Sequence, residues 1–342
     1  MKKVLFSAND LGGAQAILPV VVALRKKGWK CAGILTGPAR GAFKRPGVPF
    51  DDGSEMADEM LASYIDTHEP DVFLAGRSVA HTVDKRMLPM LKERDIKSLY
   101  VLDFWNYYSQ WFSDKDKDFK YLPTIICVMD EMARADMLSE GFPPQCLRVT
   151  GNPHFEHFSD GIPQGTGEKY RILFISQPIS MTDPKGKSSV YGFNEHEVFK
   201  ALLLAWSSLP NEFYLQIRLH PKEDRHRYDE YLNERVTIAQ EPAIEEAIAQ
   251  AGLVVGMFSP VLMQALAAGK PIISYEPNLV GADPLPTNRL GLTNRLNNEE
   301  ELADALLAYA DGRMQGTQTD LSAIWPPGAT ERIIAELYRS TK

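Results

Sequence analysis

A chain of 342 residues exceeds what one compact core usually organises, so two domains of roughly 150 residues each are expected. Hydrophobic residues at 44% and charged residues at 24% exclude a disordered or fibrous chain. A formal net charge of −8 excludes a general nucleic-acid binder, whose affinity comes from Lys and Arg neutralising phosphates, and leaves room for one local basic pocket.

The opening residues, Met1 to Ala8, begin with the basic start of a signal peptide, but the apolar stretch breaks at Asn9-Asp10 before a cleavage site could form. Val4–Ala8 instead reads as a buried strand, followed by the turn Asn9-Asp10-Leu11-Gly12-Gly13 and a helix over Ala14–Lys27. Strands are expected at Cys31–Thr36, Val72–Gly76, Ser98–Asp103 and Ile125–Met129, the last strand of this half. Helices are expected at Ser54–His68, Val83–Glu93 and Asp130–Glu140. A second series follows residue 165, with strands at Arg171–Ser176, Phe213–Leu219, Val236–Ala239, Leu253–Gly256 and Pro271–Tyr275. Its helices are Glu195–Ser208, Ala243–Gln250, Ser259–Ala268 and Glu299–Ala310. Strands and helices alternating at this spacing make βαβ units around parallel sheets.

The expected fold is therefore α/β, with two Rossmann-like domains facing a cleft. The first covers residues 1–158, a turn-rich linker 159–168, and the second 169–342, with the last helix free to pack back on the first domain. Ligands of such sheets bind outside the carboxyl ends of the strands, so the polar residues closing each strand carry the functional argument. Cys31, Cys127 and Cys146 fit neither a disulfide framework nor a metal spacing, and read as buried thiols of a cytoplasmic protein. No apolar run reaches the roughly 20 residues that span a bilayer.

The sharpest signal is Arg218-Leu219-His220-Pro221-Lys222-Glu223-Asp224. His220 and Lys222 at a strand terminus can neutralise a diphosphate or stabilise charge on a departing nucleotide. The second is Gly256 to Pro271, where Ser259 suits a helix N-cap and Pro260 the first helical position. A helix start at a strand's carboxyl end is a ready phosphate site. In the first domain, Gly12 and Gly13 let backbone approach a ligand closely, and Asp10 is either a general base or a simple N-cap. Asp103, the alternative candidate for the base, precedes an aromatic run, Phe104 to Phe112, that suits either a sugar acceptor or internal packing. Ser176 and Gln177 close the first strand of the second domain and face the cleft. The Met181–Gly192 loop, with Lys185, Gly186 and Lys187, is a candidate lid, and Glu276 a candidate ribose or base contact. Glu195-His196-Glu197 and the pair His154 and His157 lack the partners of a metal site, so no metal is expected.

At these residues the chain resembles the GT-B superfamily of nucleotide-sugar enzymes. Val149-Thr150-Gly151-Asn152-Pro153, Leu219-His220-Pro221 and the Ser259–Pro271 helix unit match in order. Similar combinations occur in UDP-N-acetylglucosamine 2-epimerases, CDP-glycerol glycerophosphotransferases and bacterial sialyl- and Kdo-type transferases. The resemblance implies donor-phosphate contacts at His220 and Ser259. The epimerases open with a Gly-Thr-Arg-Pro-Glu-like stretch, where this chain has Ser7-Ala8-Asn9-Asp10. Their helix carries paired glycines and ribose-holding acids, where this one has Ser259-Pro260 and Met263-Gln264, which makes Gln264 a candidate contact in place of an acid. These departures favour a CMP- or CDP-linked donor over a UDP-linked one.

The resulting expectation is a metal-independent glycosyltransferase of bacterial surface-polysaccharide assembly. It would need no cofactor beyond its nucleotide-sugar donor and would use a saccharide or lipid-linked acceptor, with a peripheral membrane or partner-protein contact open to it. Two rival expectations keep the fold, a nucleotide-sugar 2-epimerase or hydrolase turning over the donor alone, and a non-catalytic nucleotide-binding scaffold.

Overall fold

The alternating apolar runs and amphipathic stretches fold as parallel strands joined by crossover helices. A computed structural model describes residues 1–44, 46–78, 82–115, 117–157, 167–182 and 190–341. The expected linker lies almost wholly outside the described residues, as do Lys185, Gly186 and Lys187 of the lid candidate. The chain divides into two units, Met1–Phe158 with Leu321–Lys342, and Ser159–Asp320.

The first unit contains β1 (Lys3–Ala8), α1 (Leu11–Lys26), β2 (Lys30–Leu35), α2 (Ala39–Lys44), β3 (Asp51–Asp52), α3 (Asp58–His68), β4 (Val72–Gly76) and α4 (Val83–Glu93). It continues through β5 (Lys97–Val101), α5 (Tyr108–Phe112), β6 (Ile125–Val128), α6 (Glu131–Ser139) and β7 (Leu147–Val149). Its sheet runs β3-β2-β1-β4-β5-β6-β7, every pair parallel. The central strands are buried on both faces, which is why they read as continuous apolar runs rather than alternating ones.

Three details differ from expectation. Helix α1 starts at Leu11 rather than Ala14, so Gly12 and Gly13 belong to its first turn. Helix α3 starts at Asp58 rather than Ser54, because Ser54 turns back to bond Asp52 through its N–H (3.0 Å) and hydroxyl (2.6 Å). The unit's last strand is β7 rather than β6, a three-residue segment too short to show a period.

The second unit contains β8 (Glu168–Ile175), α7 (Glu195–Trp206), β9 (Tyr214–Arg218), β10 (Val236–Ile238), α8 (Ile244–Gln250) and β11 (Ala251–Gly256). After these come α9 (Pro260–Ala267), β12 (Ile272–Tyr275), α10 (Pro286–Arg289), β13 (Arg295–Leu296) and α11 (Glu299–Ala310). The sheet order is β10-β9-β8-β11-β12-β13, again wholly parallel. Helix α7 opens on a capping box in which Asn194 and Glu197 satisfy each other's backbone N–H groups.

The closing helix α12 (Ala329–Ser340) belongs to the first unit. Its Ile333, Ile334 and Leu337 are buried in the cluster formed by α1, β1 and β4, among Ile17, Val20, Leu24, Phe6 and Leu74. Arg332 bonds Thr150 O (2.9 Å) and Pro326 O (2.8 Å), while the Phe155 ring stacks on Trp105 (5.6 Å between centroids) and meets Trp325 at a tilt (5.5 Å).

Both sheets reverse their winding direction once, between β1 and β4 in the first and between β8 and β11 in the second. Neighbouring connections there leave in opposite directions and open a crevice at the carboxyl edge. The residues closing those strands are Ala8-Asn9-Asp10 and Arg77-Ser78 in one unit, Ser176-Gln177 and Met257-Phe258-Ser259 in the other.

Candidate functional site

In the second unit four sequence candidates sit on three adjacent strand ends: His220 after β9, Ser176 and Gln177 after β8, and Ser259 after β11. Side chains lace this edge together. Ser176 is buried; its Oγ donates to Glu223 Oε1 (2.6 Å) and lies 2.6 Å from the Tyr228 hydroxyl. Glu223 Oε2 accepts the His220 backbone N–H (2.7 Å), fixing the turn after β9 to the end of β8. Gln177 Oε1 accepts the Phe258 N–H (3.1 Å), tying β8 to β11 across the winding reversal. Ser274 Oγ of β12 donates to Met257 O (2.9 Å) and extends the lacing by one more strand.

His220 is half-buried, and its Nδ1 accepts the Lys222 N–H (3.1 Å). Burial, then the Lys222 ammonium, hold the imidazole pKa below its usual value. Lys222 itself is exposed. Ser259 caps α9, its Oγ accepting the Val261 N–H (3.3 Å), with Pro260 at the first helical position. The protein itself uses several of the N–H positions around this helix start. Pro260 has none, Val261 gives its own to the cap, and Phe258 gives its to Gln177. The helix dipole and the serine remain as its anion-attracting features.

Two candidates are not on this open edge. Gln264 is fully buried on α9, and its amide reaches Glu245 Oε1 of α8 (3.3 Å). Glu276 is fully buried behind β12, its Oε1 accepting from Ser274 Oγ (2.8 Å) and Asn288 Nδ2 (3.2 Å). Its Oε2 has no partner among the described residues. Burial, then the Asp283 carboxylate, push the Glu276 pKa up to about 8.

The first unit's candidates cluster around its own winding reversal. Asp10 occupies the N-cap position of α1 but makes no capping bond; its Oδ1 accepts from Asn9 Nδ2 (3.0 Å). Asp103 is gripped by Arg77 through both carboxylate oxygens, and that guanidinium lies 4.4 Å over the Trp111 ring. Gly12 and Gly13 lie in the first turn of α1, close against the ends of neighbouring strands. A Cβ on Gly12 would strike the Asp103 carboxylate, and one on Gly13 would strike the backbone of Gly76 and Arg77. Their missing side chains let α1 press against β4 and β5. Within the aromatic run, Trp105, Tyr108 and Phe112 are buried, and Trp105 bonds Asp130 through its ring nitrogen (2.6 Å), so half of its six aromatic side chains pack internally. Phe104, Tyr107 and Trp111 stay half-buried, Trp111 beneath Arg77 and Phe104 against Trp111.

Several residues here escaped the sequence reading. Glu223 stood inside the quoted His220 motif, three residues on, a spacing that lets an acid fold back on the histidine's N–H. Tyr228 gave no signal, since its hydroxyl meets Ser176 only through the fold. Buried Lys85 on α4 has no hydrogen-bond partner among the described residues and lies 5.5 Å over the Tyr121 ring. Burial pushes its pKa down to about 8; Asp84 and Asp10 counter this, while Arg77 reinforces it. Among the described residues no group of three His, Cys, Asp or Glu side chains is arranged to hold a metal ion, and no helix is long and apolar enough to cross a membrane.

No protein-family model matches the sequence, and no curated protein matches it. Solved structures do match. The UDP-GlcNAc 2-epimerase of Neisseria meningitidis, bound to UDP-GlcNAc, is 14% identical with a TM-score of 0.70, over 98% of this chain and 100% of that one. The UDP-GlcNAc 2-epimerase of Methanocaldococcus jannaschii, in complex with UDP-GlcNAc and UDP, gives 12% and 0.69, over 98% and 99%. The glycotransferase of kitacinnamycin gives 14% and 0.63, over 100% and 99%. Identities this low speak to architecture, and along its whole length the chain has the GT-B fold, two Rossmann-like parallel-sheet units, that it shares with these proteins.

Proposed function

We propose that this protein is an enzyme acting on a nucleotide-linked sugar, whose phosphate is held at the carboxyl edge of the second sheet. The observation that carries this reading is the laced row of strand ends at the β8–β11 reversal, which sets His220, Gln177 and Ser259 side by side on a parallel sheet. As the sugar's C1–O bond to the nucleotide breaks, the electron pair leaves on the phosphate. The His220 imidazole and Lys222 ammonium stabilise that charge.

Turnover of the nucleotide sugar alone takes precedence over transfer, because epimerases, two of them holding UDP-GlcNAc or UDP, stand among the similar structures. Transfer to an acceptor is the second reading, supported by the glycotransferase match and by Asp10, a carboxylate with no guanidinium partner among the described residues. The uridine ligands of the neighbours rank UDP-linked sugars first, with CMP- and CDP-linked sugars, which the sequence favoured, tested beside them. Three free cysteines fit a reducing, cytoplasmic setting.

The test is incubation with UDP-GlcNAc, with and without saccharide acceptors, followed by nuclear magnetic resonance and by nucleotide release. Conversion without acceptor, lost in His220→Ala, supports the first reading. Conversion only with acceptor supports transfer, and in either case Asp10→Asn should lower turnover while keeping nucleotide affinity. Binding with no turnover of any sugar leaves a scaffold, and failure of UDP, CMP and CDP alike to bind sinks the proposal.

A further inference from the structure

We infer that Glu223 is a positioning residue that, together with the Lys222 backbone amide, presents His220 to a phosphate oxygen as a neutral Nε2–H donor. This rests on the nucleotide reading above and adds to it the form in which the histidine acts.

The geometry has two parts. Glu223 takes the His220 N–H on one oxygen (2.7 Å) and the Ser176 hydroxyl on the other (2.6 Å), while its own N–H returns to His220 O (2.9 Å). The turn is thereby closed on itself and moored to β8, and buried Tyr228 backs the mooring through Ser176. The second part concerns the ring. A backbone amide can only donate, so the Lys222 N–H at 3.1 Å requires an unprotonated Nδ1. The proton of the neutral ring then sits on Nε2, which has no protein partner among the described residues.

The groups facing this turn are Lys222 on the turn itself, Glu223 and Ser176 beneath it, Arg227 and Tyr228 in the helical turn Arg225–Tyr231, and Glu195 at the start of α7. Lys222 and burial both disfavour an imidazolium, so the ring is neutral near pH 7. Recognition through a hydrogen bond, rather than through histidine charge, leaves phosphate affinity level as pH rises through the neutral range. An imidazolium contact would instead lose about tenfold per pH unit above its pKa.

The test combines nitrogen-15 spectra of the histidine rings in ligand-free protein with calorimetric titration of UDP between pH 7 and 8.5, on wild type, Glu223→Gln and Glu223→Ala. The wild type should show the Nε2–H form and a level affinity. Glu223→Gln should stay within about threefold of it, because the amide oxygen can keep the His220 N–H while its NH2 donates to Ser176. Glu223→Ala should mix both ring forms and weaken UDP by about tenfold.

An Nδ1–H or imidazolium ring in wild type, an affinity that falls with pH, or a folded Glu223→Ala with wild-type ring and affinity each overturns the inference. If Glu223→Ala does not fold, the wild-type ring form and the glutamine variant still decide it. A wild type with the Nε2–H ring but no affinity for UDP, CMP or CDP overturns the nucleotide reading and the phosphate role together, and supports the positioning of the ring alone.

Discussion

Glu276 shows how one buried carboxyl sets a pH dependence. Its pKa is raised from the usual carboxylate range to about 8 because burial disfavours the charged form and Asp283 adds repulsion. A folded pKa above the unfolded one means that the native state holds the proton more tightly, so the stabilisation is present at low pH. It is lost as pH rises from the unfolded value towards 8. Glu276→Gln keeps an oxygen for Ser274 and Asn288 and removes the charge. We expect the variant to melt several degrees above wild type at pH 8 and close to it at pH 5, in paired thermal melts. An equal difference at both pH values would count against this account. Nothing in Ser274-Tyr275-Glu276-Pro277 announces the burial, because a strand-closing acid looks the same whether it faces solvent or interior. His220 was legible for the opposite reason: its neighbours in sequence, Pro221 and Lys222, are also its neighbours in space. Glu223 depends on Ser176, 47 positions away, and that closeness exists only once β8 and β9 pair.

At the scale of elements, α4 and α11 carry the bounds read from their periodicity, Val83–Glu93 and Glu299–Ala310, each long enough for three turns of pattern. The segments that escaped, α2, β3, α5, β7, α10 and β13, span two to six residues and have no period to detect. The start of α1 was misread for another reason. Two glycines in a row signal a turn to a sequence reader, whereas here Gly13 meets the backbone of Gly76 and Arg77 and Gly12 meets the Asp103 carboxylate. Gly13→Ala should therefore act differently from a glycine-to-alanine change on an exposed helix, where it would stabilise by roughly 1 kcal/mol. The added methyl would enter the backbone of Gly76 and Arg77, and we expect a loss of about 1–3 kcal/mol in denaturant unfolding. A stabilised Gly13→Ala would show that α1 does not seat on β4 in this way.

Across the whole molecule the same winding plan is used twice, with two strands laid down to one side of a starting strand and the rest to the other. That repetition was legible because it follows from alternation alone, whereas the unit to which the last residues belong was not fixed by it. Ile333, Ile334 and Leu337 of α12 are buried among side chains of the first unit. Burying each such side chain contributes roughly 1.5–3 kcal/mol, so their combined loss is comparable to the stability of a typical domain. A chain ending at Asp320 should leave the first unit open and aggregating, with its near-ultraviolet signal diminished, while residues 167–320 retain protease resistance. A soluble, fully cooperative truncation would refute this.

Because α12 packs into the core of a unit whose sheet begins at Lys3, the second unit is an insertion in the course of the first. During synthesis the ribosome makes β1 to β7 first, yet the layer that covers β1 and α1 emerges more than 170 residues after β7. The unit begun first is thus the one finished last. The interval in which its apolar face waits uncovered is set by the speed of translation rather than by the speed of folding.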